Sequence, residues 1–238
     1  MPTSALQLWA RERADLTERA AASVVAVEAP KGRPLAGIVW DDDTVVTAAE
    51  ALAGASGAVV RGGGRTFDAA LIALDLATDV ALLRARTGLP PPARADSTAL
   101  RAGQPVLLVG RDGAGEDAGP LARWADVQQV GPAWRSRRGG EIARTIRFSL
   151  RLDAALEGGG IFDAGGALCA MAVPAPRGRA LGIPVETLAA VASRVAQHGY
   201  LPQPYLGVRL QPVWLDDAQR AQLGRERAPA VIVTGVEP

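Results

Sequence analysis

From Ser23 to Ile183 the chain is a succession of short runs rich in β-branched and other apolar residues, broken at close intervals by turn-forming clusters. The first runs are Ser23 to Glu28, Leu35 to Trp40, Thr44 to Thr47, Gly57 to Val60, Thr66 to Leu74 and Val80 to Arg84. Between them stand Pro30-Lys31-Gly32-Arg33-Pro34 and Gly62-Gly63-Gly64. There proline presets φ, and glycine supplies backbone angles that other residues avoid. Helices need longer periodic stretches, so the pattern predicts an all-β body. Composition agrees, with 27 Gly and 17 Pro against only 4% aromatic residues.

The segment Leu89-Pro90-Pro91-Pro92-Ala93-Arg94 divides the series into two lobes. Beyond it the expected strands are Val106 to Val109, Arg123 to Val130, Ile142 to Phe148, Ala167 to Val173 and Ala180 to Ile183. Helical patterns flank the β runs. Leu6, Trp9 and Leu16 recur at helical spacing in residues 4–21, which suits an amphipathic entry helix packed on the body. Leu188, Val191, Ala192 and Val195 share a face between Pro184 and His198, and Gly199 supplies a stop. A short helix is expected at Leu215 to Leu223.

A net charge of +1 exerts no global pull on nucleic acid or anionic membranes, so no nucleic-acid partner is expected. The arginines of Trp134-Arg135-Ser136-Arg137-Arg138 read as a solvated loop, because Lys31 is the only lysine and arginine is simply the preferred base. Cys169 is the single cysteine, which rules out an internal disulfide, and its apolar neighbours make it a small core residue. No apolar run has the length of a membrane span. A native start at Met1 would make the protein cytoplasmic, and an export signal ahead of it would make it periplasmic.

Three further segments carry chemistry by their order and spacing: Val45-Val46-Thr47-Ala48-Ala49-Glu50, Thr78-Asp79-Val80-Ala81-Leu82-Leu83 and Glu157-Gly158-Gly159-Gly160-Ile161-Phe162-Asp163. They resemble the three catalytic stretches of the trypsin-fold HtrA (Deg) serine proteases, which run roughly V-T-A-A-H, D-[LV]-A-[LV]-L and S-G-G-[PG]-L-[FV]-[DN]. Leu100 to Gly110 resembles the entry to that family's second barrel. Tyr205-Leu206-Gly207-Val208 resembles the opening of its PDZ domain. The resemblance implies two Greek-key β-barrels with N-terminal and C-terminal helices. Its boundaries would be 1–21 for the entry helix, 22–103 and 104–199 for the barrels with the terminal helix, and 200–238 for the opening of an incomplete PDZ domain.

The same resemblance implies a triad without its working parts. Asp79 matches the aspartate that orients a histidine, but Glu50 stands at the histidine position, and the only histidine, His198, lies elsewhere. Aligned without a gap, Glu157 takes the place of the nucleophilic serine and Ala155 that of the oxyanion-loop glycine. A gapped alternative matches Leu152 to Leu156 with the family's T-D-A-A-I and leaves Glu157 or Gly158 at the nucleophile position. Both registers remove the nucleophile and degrade the loop at Ala155 and Leu156, so the resemblance implies a pseudoprotease. Its alternatives are an active endopeptidase with a non-standard or partner-completed site and a structural module with a closed cleft. Implied partners are a peptide or unfolded segment, received in part on Tyr205, Leu206, Gly207 and Val208, and other copies in a homotrimer or a mixed oligomer with an active paralogue. No cofactor is implied. Glu50, Asp79 and Glu157 would gather three carboxylates in one cleft, a candidate cation site.

Overall fold

The computed structural model describes residues 4–30, 33–112, 119–201 and 208–236. Helix α1, Ala5–Ala21, opens the chain on a reciprocal cap between Ser4 and Gln7. Strands β1 (Val24–Glu28), β2 (Pro34–Val39), β3 (Thr44–Thr47), β4 (Gly57–Gly62), β5 (Arg65–Asp75) and β6 (Val80–Arg84) close into a barrel in the order β1-β2-β3-β6-β5-β4. Next come β7 (Pro105–Arg111), β8 (Pro120–Gly131), a small ribbon of β9 (Trp134–Arg135) and β10 (Glu141–Ile142), then β11 (Thr145–Arg151), β12 (Gly160–Phe162), β13 (Leu168–Ala175) and β14 (Arg179–Pro184). Strands β7, β8 and β11 to β14 close a second barrel in the order β7-β8-β11-β14-β13-β12. Counted along the chain, both barrels therefore share one winding.

Two apolar faces explain why the first-barrel runs read as nearly continuous hydrophobic stretches. Val25, Val27, Leu35, Val45 and Leu83 fill the first barrel, while Val106, Leu108, Ile146, Phe148 and Ile161 fill the second. The residues in between, Val24, Ile38, Val46 and Leu82, face outward and meet Leu107, Val109, Phe162 and Met171 in a third cluster that joins the barrels. A strand buried on both faces shows no polar alternation. Helix α2, Val185–His198, adds Leu188, Val191 and Val195 to that cluster and ends on Gly199, whose φ of 73° closes the helix in the left-handed region.

Several expectations need correction. Leu6 and Trp9 do not pack on the body but are 72% and 56% exposed; only Leu16, Ala20 and Ala21 of α1 are buried. Trp9 instead stacks on the Arg13 guanidinium, whose other contact is the Trp124 ring. The expected strand Ile142 to Phe148 is two strands, because Ile142 pairs back to Trp134 before β11 begins. Strand β12 was not anticipated at all. Cys169 is fully buried, and burial pushes its thiol up to about 12, so it is an inert core residue.

The remaining described residues form a separate unit. In it β15 (Val208–Trp214) pairs antiparallel with β16 (Pro229–Val236), and α3 (Asp217–Leu223) lies between them in the chain. No helix among the described residues is long and apolar enough to cross a membrane.

Candidate functional site

Strand β3 ends at Thr47, and buried Ala48 and Ala49 lead into a single tight turn, Glu50–Leu52. Asp79 sits in the connection from β5 to β6 with φ of 58°, a left-handed conformation that aspartate tolerates better than most residues. From there one carboxylate oxygen accepts the N–H of Ala49 at 2.9 Å and that of Glu50 at 3.0 Å. Asp79 thus fixes the backbone from which residue 50 projects. The Glu50 side chain is exposed and pairs with Arg138 at 3.1 Å.

The second barrel supplies the turn Ala154–Leu156, followed by Glu157, which is only 2% exposed. Its carboxylate is bonded and ion-paired to the guanidinium of Arg33, the residue just before β2 of the other barrel. Backbone bonds hold it in place: the Glu157 carbonyl accepts from Ala36 N–H at 2.8 Å, and Gly158 N–H donates to Ala172 at 2.8 Å. Gly158 has φ of 78°, and a Cβ there would strike the Ala36 carbonyl, so only glycine fits. The N–H of Glu157 donates to the Ala154 carbonyl at 3.1 Å and that of Leu156 to Asp153 at 3.0 Å. The Glu157 N–H is thus turned into the loop itself, away from any anion in the cleft.

The three acids share one electrostatic environment. Burial pushes the Asp79 carboxyl up to about 6; repulsion from Glu50 and Glu157 adds to this, against the two N–H bonds. Burial also raises the Glu157 carboxyl, with Arg33 opposing and Glu50 reinforcing. Among the described residues no group of three or more His, Cys, Asp or Glu is placed to hold a metal ion. Each acid has turned to its own partner, and the positive charge comes from guanidinium groups of Arg33 and Arg138.

A raised folded-state pKa means that the native protein favours protonated Asp79. Its contribution to stability is therefore full below about pH 4 and is lost as pH rises through about 6. Asp79→Asn keeps an acceptor for both N–H groups and suits the left-handed φ, so the variant should be about 1–2 kcal/mol more stable at pH 8 and indistinguishable at pH 4. Urea unfolding at the two pH values measures this; a variant less stable at pH 8 would contradict it.

Arg33 and Arg138 were not singled out from the sequence as site residues. Arg138 belongs to the loop read as solvated, and its side chain is indeed exposed while it pairs with Glu50. The loop docks on the first barrel, where Ser136 Oγ donates to the Ala77 carbonyl at 2.5 Å and Arg138 to that of Leu76 at 3.3 Å. The only available signal was general: a buried carboxylate requires a cation or donor. His198 ends α2, and its ring lies tilted against that of Tyr200. Of the expected peptide-binding residues, Tyr205, Leu206 and Gly207 lie outside the described residues, and Val208 begins β15.

Residues 36–171, which include Glu50, Asp79 and Glu157, match the family model of the trypsin-like peptidase domain. The chain belongs to that family. Its trypsin-like domain is of the HtrA/Deg kind: it is 28% identical over 213 residues to "Protease Do-like 1, chloroplastic" of Arabidopsis thaliana, covering 83% of this chain and 46% of that protein. It is also 27% identical over 207 residues to "Putative serine protease HhoA" of Synechocystis, covering 80% and 51%. The chain thus spans about half the length of these relatives. Its fold matches that of Deg5 with a TM-score of 0.70 at 21% identity, covering 81% of this chain and 97% of that one. The HtrA-type protease AlgW with tripeptide matches with a TM-score of 0.69 at 22% identity, over 94% of this chain and 76% of that one.

Proposed function

We propose that this trypsin-like domain is a catalytically silent HtrA-like protease homologue that binds peptide or unfolded protein segments in a regulatory or quality-control role. One observation carries this reading: the position that the ungapped alignment matches with the nucleophilic serine holds Glu157, buried and ion-paired to Arg33, and the gapped alignment offers only Glu157 or Gly158 there. A carboxylate in that state has no hydroxyl to activate, and Glu50 offers no imidazole to take a proton. Glu50, Asp79 and Glu157 are then the remains of a triad, with Ala155 and Leu156 the remains of its oxyanion loop.

Peptide binding is supported by the family, since AlgW was solved with a tripeptide and with a decapeptide. An extended segment can be held in the cleft by main-chain pairing without any chemistry. The segment from Tyr205 would open a PDZ domain, whose N–H groups at Tyr205 to Val208 receive a peptide C-terminus. A homotrimer, or a mixed oligomer with an active paralogue, fits the same family resemblance.

The alternative favoured by a specific observation is a module with a closed cleft, because Arg33 reaches from the first barrel to Glu157 in the second. Fluorescence anisotropy of a labelled peptide library with the purified protein separates the two. Saturable micromolar binding of extended peptides is expected, and no binding at any concentration up to a millimolar would favour the closed module.

A further inference from the structure

Among the described residues, Arg147, Arg151, Arg177 and Arg179 on the second barrel have no ion-paired acidic partner. Arg147 and Arg151 lie on β11, Arg179 begins β14, and Arg177 sits in the turn joining β13 to β14; all four are exposed. Asp153, near in sequence, is taken by Arg123 at 2.6 Å.

The placement of these charges is unfavourable for the protein alone. Arg151 and Arg179 are direct partners in the β11–β14 ladder, so both side chains leave the same face with Cβ atoms about 5 Å apart, and like charges directly opposite destabilise a sheet. Arg151 also donates to the Arg177 carbonyl at 3.5 Å, which draws its guanidinium over the turn. Arg177 itself has φ of 66°, a conformation that a long side chain adopts only under constraint. Arg151 and Arg179 therefore leave one face at the corner beside the turn that carries Arg177, and among the described residues none of the three is ion-paired to a carboxylate.

That corner is tied to the candidate site. The Gly178 carbonyl in the turn accepts the N–H of Leu152 at 3.1 Å, and Leu152 begins the loop that runs directly to Glu157. Gly158 is anchored on the Ala172 carbonyl of β13. From Ala172 the strand continues three residues, about 10 Å at the usual rise, to Ala175, which pairs with Arg179. The basic corner thus lies about 10 Å along β13 from the anchor of Gly158, the distance covered by three residues of an extended peptide.

Resting on the peptide-binding reading above, we infer that the cleft takes acidic segments, with Arg151, Arg177 and Arg179 receiving carboxylate side chains of an extended peptide. Alternate side chains of such a peptide repeat about every 7 Å on one face, and guanidinium forks bind carboxylates bidentately. A nucleic acid is the poorer fit, because the chain's net charge is only +1 and a nucleic-acid surface needs a broad basic face.

The test compares three fluorescein-labelled probes by anisotropy: a ten-residue peptide alternating glutamate and valine, its glutamine counterpart, and a ten-nucleotide single-stranded DNA. The expected result is at least tenfold tighter binding of the glutamate peptide than of the glutamine peptide. In Arg151→Gln/Arg179→Gln that preference falls to less than threefold while the glutamine peptide binds as before. Both substitutions are on the surface and relieve a like-charge contact, so the thermal midpoint should hold or rise; if the double variant does not fold, Arg177→Gln read on the same probes replaces it. Equal affinity for the two peptides overturns the acidic preference and leaves the peptide-binding reading standing. Failure of both peptides to bind overturns that reading, and this inference with it. A preference unchanged in the variant overturns the placement. DNA bound as tightly as the glutamate peptide overturns a peptide as the occupant.

Discussion

Arg33→Ala is expected to destabilise the protein by about 3 kcal/mol at pH 8, near the lower end of the range for removing one member of a buried ion pair. The discount reflects the geometry: Glu157 is 2% exposed, but the Arg33 side chain is 48% exposed, so part of the lost attraction was already screened. The sign of the pH dependence follows from the direction of the shift. Arg33 opposes the burial that raises the Glu157 carboxyl, and its loss raises that carboxyl further. A raised folded pKa favours the protonated native state, so the penalty should be small at pH 4 and should grow as pH rises. Glu157→Gln in the same background should remove most of it, because a neutral amide needs no counter-charge. A thermal midpoint lowered by about 6 °C at pH 8 and by less than 2 °C at pH 4 is the expected pattern. A pH-independent loss would mean that Arg33 acts through packing alone.

Glu50→His with Glu157→Ser is expected to leave acylation at least about a hundredfold below that of an active family member. The double substitution restores the residue types, and Asp79 already fixes the backbone at residue 50 through its bonds to the Ala49 and Glu50 N–H groups. What it does not restore is the electrophilic half of the site. The N–H at position 157 is held by the Ala154 carbonyl, so a developing oxyanion finds the donor of the nucleophile position already used. Releasing it requires the Ala154–Leu156 turn to open, and an alanine at 155, where the family has the loop glycine, resists backbone angles that glycine adopts freely. Burst kinetics on an activated ester measure this: no burst is expected, and a burst with the rate of an active family member would show that the loop rearranges without cost.

Much of the scaffold was legible because its strands are punctuated by turn residues and carry β-branched runs on the scale of single strands. The first-barrel strands needed only those signals, and the terminal helix needed only its apolar face and Gly199. Strand β12 escaped because Gly160–Phe162 is three residues long and follows consecutive glycines, so no period can be read from it. The entry helix was found, but its packing was not: helical spacing of Leu6, Trp9 and Leu16 says which residues share a face, not whether the body reaches them. At the candidate site, Glu50, Asp79 and Glu157 could be named from motif order, whereas their partners could not. Arg33 meets Glu157 across 124 positions from within a turn-forming segment, where no periodicity or spacing marks a contact. The basic corner of Arg151 and Arg179 is likewise visible only once the β11–β14 register is known.

The central claim is that the cleft carries no activated nucleophile. Incubating the purified protein with a fluorophosphonate probe and measuring intact mass tests it directly, because an activated serine acquires one phosphonyl group per chain whatever the substrate. The account predicts an unmodified mass after hours at pH 8, with an active HtrA protease labelled to completion in parallel; stoichiometric labelling of this protein at any serine would contradict it.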